Sequence, residues 1–251
     1  MARIDFRMQR LFVVAGLAAG AQLTATPEQA NYLINVLRLD TGARLLVFNG
    51  RDGEWQAEIS VPRKRLCVLH VGERTRPQES GPDVHYLFAP LKRARLDYMA
   101  EKATEMGVAV LQPVMTQHTQ AERVNCDRMR ANAVEAAEQC GILRIPEVRE
   151  PVKLERLVKH WDAGRRLIFC DEDAEVGNPL DALAPLRRAG GAAPPLAVLI
   201  GPEGGFSQPE RAMLLALPFI VRLALGPRIL RADTAAVAAL ALLQARFGDW
   251  R

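Results

Sequence analysis

The chain has 251 residues, 49% hydrophobic and 25% charged, a balance typical of a soluble globular protein with one large domain or two modest ones. Its formal net charge of +4 favours an anionic partner only mildly, because many basic proteins bind no nucleic acid. The four cysteines and four histidines are dispersed, which argues against a disulfide framework and against a metal site.

The N-terminal segment superficially resembles a secretory signal, because three arginines precede the apolar run 11–21. However, Asp5 lies among those arginines, two glycines interrupt the run, and the run is too short to cross a bilayer. We therefore expect a short strand and a turn at the start of a cytoplasmic protein that does not enter a membrane.

Residues 1–72 are predicted to contain short strands and one helix. The sequence TPEQ from Thr26 forms a capping box with proline at the first helical position, and apolar residues follow at helical spacing. Arg44–Phe48 and Trp55–Ser60 flank a glycine-containing turn and predict a hairpin, and Lys64–Val71 predicts a further strand. Such a set of strands indicates a small barrel.

The segment 73–83 is polar and contains two prolines, so we predict a linker there. From 84 to 251, apolar runs alternate with helical segments, a pattern typical of an α/β domain with a mostly parallel sheet. Strands are predicted at 84–89, 108–115, 167–170, 196–200 and 221–225, and helices at 92–106, 127–140 and 235–247. Ligands of such sheets bind beyond the carboxyl ends of the strands, which directs attention to the residues after Ile200 and Leu225.

The first of these turns, LIGPEGGFS at 199–207, contains three glycines and leads into a helix with a second capping box, formed by Ser207 and Glu210. Glycines let a backbone approach a ligand closely. A plain strand-to-helix turn is the alternative interpretation, and the loop matches neither a dinucleotide fingerprint nor a phosphate loop.

The second turn, LGPRILRADT at 225–234, also leaves a strand and enters a helix, which we expect Asp233 or Thr234 to cap. Arg228 and Arg231 fit a solvated surface and a functional site equally well. The helix that follows has no charged residue between Thr234 and Gln244, so either a core helix or a subunit interface is consistent with it. Near the end of helix 127–140, the segment 135–141 carries carboxylates that oppose the helix dipole, which is weak evidence for function.

Together these segments resemble the RsmE family, enzymes of the SPOUT superfamily that methylate N3 of a uridine in 16S ribosomal RNA of the small subunit. The matching segments follow in order over nearly the whole chain: RLFV (10–13), VLRLDTG (36–42), KATEMGV (102–108), AAEQCG (136–141), LIGPEGGFS (199–207), LGPRILRADTA (225–235) and QARFGD (244–249). One such motif would be weak evidence, but the series is specific.

The resemblance implies a PUA-like RNA-binding β-barrel at 1–72 and a SPOUT methyltransferase domain with a deep trefoil knot at 84–251, assembled as a homodimer. Nothing in the periodicity of the sequence indicates a knot. The implied partner is 16S ribosomal RNA, free or in the assembled small subunit, and the implied cofactor is S-adenosylmethionine (SAM), with no metal. The residues expected to bind the cofactor are Glu172, Ile200, Gly201, Pro202, Glu203, Gly204, Leu225, Gly226, Ile229, Leu230, Thr234 and Ala235.

The chain also departs from the family pattern. Asp233 stands where the family commonly has glutamate, and Ala232 where it has threonine or valine. Ile142 follows the EQCG segment at a position where the family usually has arginine, and Arg144 is the nearest replacement. His118 stands at a position where the family frequently has arginine. The change at 233 preserves the charge, and the others bear on RNA recognition more than on the cofactor site.

Methylation of uridine N3 requires removal of a weakly acidic proton. We hypothesise that Arg231 stabilises charge on the uracil carbonyl oxygens and that Glu138 or Asp233 accepts the proton. Candidates for phosphate contacts in the N-terminal domain are Arg10, Arg38, Arg63, Lys64 and Arg65.

Two alternatives stay open at this point. A ribose 2′-O-methyltransferase of the same superfamily would share the cofactor pocket, although its loop motifs usually differ. An RNA-binding ribosome-assembly factor without catalysis is the alternative from another class, and the intact GPEGG and GPRILR segments argue against it.

Overall fold

A computed structural model describes residues 8–63, 66–186 and 194–250. The chain divides into two compact units, the first comprising Met1–Ser80 and Ala137–Ile145, the second Gly81–Ala136 and Pro146–Arg251. The assignment of 137–145 to the first unit could not be foreseen from the sequence. None of the helices in the described part of the chain is long and apolar enough to span a membrane.

The first unit contains a five-stranded sheet, with strands β1 (Arg10–Phe12), β2 (Gln22–Thr24), β3 (Arg44–Phe48), β4 (Glu54–Arg63) and β5 (Leu66–Arg76). The strand order is β1-β3-β4-β5-β2, in which β1 and β3 are parallel and the other neighbours antiparallel. The predicted hairpin is confirmed by the pairing of β3 with β4. Because β5 continues to Arg76, the prediction of a linker is wrong for residues 73–76, which are held in the ladder by β4.

The turn between β3 and β4 depends on a glycine. Gly53 has a φ of +85°, and a Cβ atom there would lie 2.3 Å from the carbonyl oxygen of Arg76. Any side chain would therefore push the end of β5 away from the hairpin.

Helix α1 (Pro27–Asn31) begins with the predicted capping box, in which the side chains and backbone of Thr26 and Gln29 bond reciprocally. The helix continues as a π-helical turn over Tyr32–Val36, which keeps Leu33 fully buried. Beyond it, Arg38 has a φ of +56°, an uncommon conformation for a residue with a long side chain.

The second unit contains a parallel sheet of strands β6 (Val84–Phe88), β7 (Val110–Met115), β8 (Glu147–Val148), β9 (Val152–Lys153), β10 (Arg166–Cys170), β11 (Leu196–Ile200) and β12 (Ile220–Leu223). Their order is β12-β10-β11-β6-β7-β8, with β9 beside β7. The predicted α/β class with a mostly parallel sheet is confirmed. The trefoil knot stays a prediction.

Helices cover both faces of this sheet: α2 (Arg93–Glu105), α3 (Cys126–Cys140), α4 (Leu154–Lys159), α5 (Pro179–Leu183), α6 (Gln208–Leu215) and α7 (Ala232–Phe247). On one face, side chains such as Val198 pack with residues of α2 and α7. On the other, Phe169 and Leu199 pack with residues of α4 and α6. Successive residues of a strand point to opposite faces, so a strand buried on both is apolar throughout.

Two boundaries differ from the prediction. Strand β12 ends at Leu223 rather than at residue 225, because its neighbour β10 ends at the paired residue Cys170. Helix α7 begins at Ala232, and Arg231 occupies the cap position without a side-chain bond, so the predicted cap at Asp233 or Thr234 is wrong. Asp233 lies instead in the first helical turn, where a carboxylate interacts favourably with the helix dipole.

Two buried arginines of the first unit bind the last turn of α3. Arg10, only 3% exposed, donates to Glu54 at 2.9 Å and to the carbonyl oxygen of Ala137 at 2.7 Å. Arg76 lies 3.6 Å from the same Glu54 carboxylate and donates to the carbonyl oxygen of Gly141 at 2.9 Å. Charged donors thus bind carbonyl groups at and just beyond the end of the helix, in addition to the backbone bond that Ala137 accepts from Ile142.

We predict that Arg10→Met lowers the free energy of unfolding by about 3 kcal/mol, because removing one partner of a buried ion pair strands the other. Urea denaturation at pH 7 followed by circular dichroism measures the change. The matched control is Arg130→Met, since Arg130 pairs with the exposed carboxylates of Asp127 and Glu150, and its denaturation midpoint should not move. Equal effects of the two substitutions would contradict a stabilising role for the buried cluster.

Candidate functional site

Three parallel strands bring the candidate loops together. Cys170 at the end of β10 pairs with Leu223 at the end of β12, and Phe169 pairs with Leu199 of β11. The segments that follow these strands therefore leave the sheet at the same edge. This is the edge at which open α/β sheets bind ligands.

A cavity of about 750 Å³ lies at this edge. A volume of this size falls within the range of small-molecule sites. Its lining comes mainly from the ends of the three strands and from the loops that follow them: Arg95, Cys170, Asp171, Glu172, Val176, Ile200, Gly201, Pro202, Glu203, Gly204, Gly205, Leu223, Ala224, Leu225, Gly226, Pro227, Arg228, Ile229, Leu230, Arg231, Ala232 and Ala235.

The glycine-rich loop after β11 is closely packed from behind. A Cβ atom at Gly201 would lie 2.5 Å from the ring of the buried Phe206, so only glycine fits there. Beyond the loop, the predicted capping box of α6 is confirmed, with Ser207 and Glu210 bonding reciprocally. The loop backbone is thus held close against the sheet, and its other side faces the cavity.

The segment after β7 supports the same loop. Nδ1 of His118 lies 3.0 Å from the carbonyl oxygen of Gly205 and donates to it in the tautomer protonated at Nδ1. The backbone N–H of Gln117 donates to the Glu210 carboxylate at 2.8 Å. Arginine is frequent at position 118 in the family that the sequence resembles. It would likewise carry N–H donors for the carbonyl group of Gly205.

The carboxylate of Asp171 ties the cavity wall together. It is buried and accepts hydrogen bonds from Nε of Arg211 on α6 at 3.1 Å and from Nε of Arg222 on β12 at 2.5 Å. Burial alone would raise the pKa of Asp171, but hydrogen bonds from the two guanidinium groups and from the backbone N–H of Asp173 outweigh it, so the pKa lies below its ordinary value. Asp171 is therefore ionised at neutral pH.

Charged groups of both signs line the opening. Arg95 forms an ion pair with Glu203, which belongs to the glycine-rich loop. Arg228 and Arg231 are exposed, and neither has an ion pair within the described ranges of the chain. Desolvation raises the pKa of the Cys170 thiol to about 12, so this cysteine is a neutral thiol rather than a nucleophilic thiolate.

Of the residues predicted to bind a cofactor, all but Thr234 line this cavity. Thr234 is exposed in the first turn of α7. The predicted catalytic residue Arg231 also lines the cavity, whereas Asp233 lies two positions further into α7 and accepts a hydrogen bond from the N–H of Thr234. Their catalytic roles stay predictions.

Glu138 is placed elsewhere. It belongs to the first unit, where its carboxylate accepts a hydrogen bond from the backbone N–H of Phe12 at 2.7 Å. The structure therefore gives it a local structural contact and does not bring it among the residues that line the cavity.

The five predicted phosphate contacts have different outcomes. The prediction for Arg10 is wrong, because its guanidinium is buried in the ion-pair cluster with Glu54 and is inaccessible to a phosphate. Arg38 is exposed, consistent with such a contact. Arg63 ends β4, while Lys64 and Arg65 lie outside the described residues.

Sequence reasoning missed Asp171 and Arg95. Asp171 directly follows an apolar run, so the rule that ligands bind beyond strand ends applied to it as well. Arg95 lies on α2, seven residues after the end of β6, and no local signal distinguished it from other surface arginines.

The chain matches two family models. Residues 78–244 match a model described as an RNA methyltransferase domain, and residues 25–71 match one described as an RNA methyltransferase PUA domain. The second match confirms the PUA-like assignment of the N-terminal part.

Two known relatives match over nearly their whole length. The ribosomal RNA small subunit methyltransferase E of Rickettsia conorii is 26% identical, with 94% of each chain covered, and that of Bacillus subtilis is 24% identical, covering 94% of this chain and 96% of the other.

Two solved structures share the fold. A Legionella pneumophila protein described as a methyltransferase, in complex with the cofactor SAM, has a TM-score of 0.84 and 30% identity, covering 97% of this chain and 99% of the other. The ribosomal RNA small subunit methyltransferase E of Neisseria gonorrhoeae, bound to SAM, also has a TM-score of 0.84, at 24% identity, covering 97% and 100%.

We predict that Asp171→Asn destabilises the protein by about 2 kcal/mol at pH 7, because it removes charge-assisted hydrogen bonds. Because the pKa of Asp171 is lowered in the folded protein, its ionised carboxylate stabilises the fold. This contribution is fully present above the ordinary aspartate pKa of about 3.9 and is lost as the pH falls through the lowered pKa. The stability difference between wild type and variant should therefore be constant from pH 7 to about pH 5 and shrink below about pH 4.

Urea denaturation curves across this pH range measure that difference. Asp127→Asn is the matched control, because the Asp127 side chain is 94% exposed in its pair with Arg130, and its acid dependence should follow the wild type. A pH-independent difference for Asp171→Asn would contradict the assigned ionisation.

Proposed function

This chain belongs to the RNA methyltransferase family, and from that premise we propose that it transfers a methyl group from SAM to N3 of a uridine in 16S ribosomal RNA of the small subunit. The observation that carries the proposal is the cavity at the ends of β10, β11 and β12. Its walls are the GPEGG and LGPRILRA segments that link the sequence to the uridine-N3 enzymes.

The lining fits SAM in size and charge. The cofactor carries a cationic sulfonium and an ammonium group, and the carboxylates of Glu172 and Glu203 lie in the lining. The loop contributes Gly201, Gly204 and Gly205 to the lining, so its peptide groups can approach a ligand without intervening side chains. When bound, SAM supplies an electrophilic methyl group on sulfur, and transfer to N3 forms a C–N bond as the C–S bond breaks.

The residues at the opening supply what the uracil requires. The N3 proton must pass to a base, and negative charge must be stabilised on the carbonyl oxygens. Arg231 is exposed in the lining, and its guanidinium charge can provide that stabilisation. Of the two candidate proton acceptors we favour Asp233, since it belongs to the same unit as the cavity and lies in the first turn of the helix that follows Arg231, whereas Glu138 belongs to the first unit.

The neutral state of Cys170 supports direct transfer. Methyltransferase mechanisms that pass through a covalent enzyme–base adduct need an activated nucleophile. Cys170 is the cysteine that lines the cavity, and its pKa of about 12 leaves it protonated at neutral pH. A nitrogen acceptor such as N3 requires no adduct.

The partners follow from the same proposal. The first unit would hold the ribosomal RNA, free or in the assembled subunit, with exposed Arg38 as a phosphate contact, and the protein would act in the cytoplasm. A homodimer is supported by the partly exposed face of α7, where Ala238, Ala241 and Leu242 line an apolar concavity with Trp250. A second copy of α7 would cover these side chains.

The test of the proposed function uses small ribosomal subunits purified from cells that lack this protein. Incubation with the protein and labelled SAM, followed by mass-spectrometric nucleoside mapping, should yield N3-methyluridine at one site. Label on a ribose would indicate a 2′-O-methyltransferase instead. Absence of label despite binding of SAM and subunits would favour an assembly factor.

Within this assay, Arg231→Ala should lower the single-turnover rate roughly 100-fold, as removal of one preorganised charge-stabilising donor does in other enzymes. The affinity for SAM, measured by calorimetry, should change little. Arg128→Ala is the control, since Arg128 lies on the surface of α3 and pairs with Asp97. Wild-type rates for Arg231→Ala on fully bound subunits would refute the role of Arg231.

The dimer is tested by Leu242→Glu, which places a charge on the apolar face of α7 and should shift the protein to monomer in sedimentation equilibrium. Leu215→Glu, at an exposed position of α6, should leave the association unchanged. A monomeric wild type, or a Leu242→Glu variant that remains dimeric, would contradict an interface at this face.

A further inference from the structure

The rim of the cavity carries one fully exposed aliphatic side chain. Ile229 lines the cavity and is nevertheless 95% exposed, more than any other large hydrophobic residue described. Exposing an isoleucine to water is unfavourable by roughly 2 kcal/mol relative to burying it. The sequence places Ile229 among the residues expected to bind the cofactor, but a side chain seated inside the cavity would lose much of this exposure. The Ile229 side chain therefore projects from the rim into solvent.

The residues beside Ile229 are basic. Arg228 precedes it and Arg231 follows two positions later, and both are exposed on the same rim. In the described part of the chain, no ion pair occupies either guanidinium group. An apolar side chain between two cations suits a nucleic-acid strand. The cations can contact the backbone phosphates, and the apolar side chain can contact the stacked bases.

The backbone of this segment holds the side chain outward. Pro227 restricts its own φ, and Gly226 adopts a φ of +97°, which turns the chain away from β12. At the other end, Arg231 is the cap residue from which the 16-residue helix α7 begins. Ile229 therefore sits on a short loop anchored at both ends, rather than on a free terminus.

The proposed reaction creates a need for such a side chain. N3 lies on the edge of uridine that takes part in base pairing, so an enzyme reaches it either on an unpaired nucleotide or by extruding the base from its stack. We propose that Ile229 is a wedge that enters the RNA stack at the target uridine and fills the space left by the extruded base, while Arg228 holds the adjacent phosphate. Apolar side chains inserted between base steps act in this way in other nucleic-acid complexes.

The wedge rests on the proposed methylation, and its test separates the two. The substrate is the subunits from cells lacking the protein, with wild type as reference, under single turnover with enzyme in excess. Because unstacking costs a few kcal/mol per step, Ile229→Ala should slow methylation roughly tenfold or more. Ile229→Leu, which keeps an aliphatic side chain of equal volume, should restore most of the rate.

Two further measurements separate a wedge from a cofactor contact or from a general loss of fold. Calorimetry should give the same SAM affinity for Ile229→Ala and wild type. A synthetic RNA hairpin spanning the mapped site, with 2-aminopurine next to the target uridine, should gain fluorescence with wild type and Ile229→Leu but not with Ile229→Ala. Leu215→Ala, at another exposed aliphatic position on α6, is the control and should behave as wild type.

Each contrary outcome is distinct. Loss of SAM affinity in Ile229→Ala would assign the residue to the cofactor wall and overturn the wedge. Wild-type rate and fluorescence in Ile229→Ala would overturn it as well. Absence of methylation by the wild-type protein would instead refute the proposed function on which the inference rests.

Discussion

The cavity depends on one buried carboxylate. Asp171 follows directly from β10, and a charge in that position requires compensation, because burial without partners costs several kcal/mol. The compensation comes from Arg211 on α6 and Arg222 on β12, so neutralising one charge fixes the positions of three elements. The loops that line the cavity start from two of these elements, and the glycine-rich loop leads into the third. Their mutual arrangement is therefore a consequence of electrostatics as well as of sheet register.

The first unit has a corresponding centre in Glu54, which is shared by Arg10 and Arg76. This cluster gives a structural role to two of the sequence segments that carry the family resemblance. RLFV contributes Arg10, and AAEQCG contributes the carbonyl groups that Arg10 and Arg76 bind. Their co-occurrence in the sequence reflects a physical contact. A carboxylate near a helix end, which looked unfavourable in isolation, also finds its partner here, since Glu138 accepts the N–H of Phe12.

Much of the fold could be predicted because its signals are local. Both capping boxes, the hairpin and the strands β6, β10 and β11 follow from patterns within a few residues, and the strand-end rule located the cavity. The long-range contacts could not be predicted in this way. Nothing near Arg10 in the sequence distinguishes a buried arginine from an RNA contact, since its partners lie 44 and 127 residues away. The start of α7 was misplaced because Asp233 is as favourable in a first turn as at a cap.

The division of α3 between the two units limits how the protein can be dissected. Its last turn, with the residues up to Ile145, supplies Ala137 and Leu143 to the apolar cluster around Phe48. A fragment ending at residue 80 would leave Phe48 uncovered and two arginines without the carbonyl groups they bind. The PUA-like unit is thus not a segment that recombination could exchange at a single junction. Any successful transfer of this module to another protein must carry both pieces of chain, which ties its inheritance to that of the methyltransferase domain.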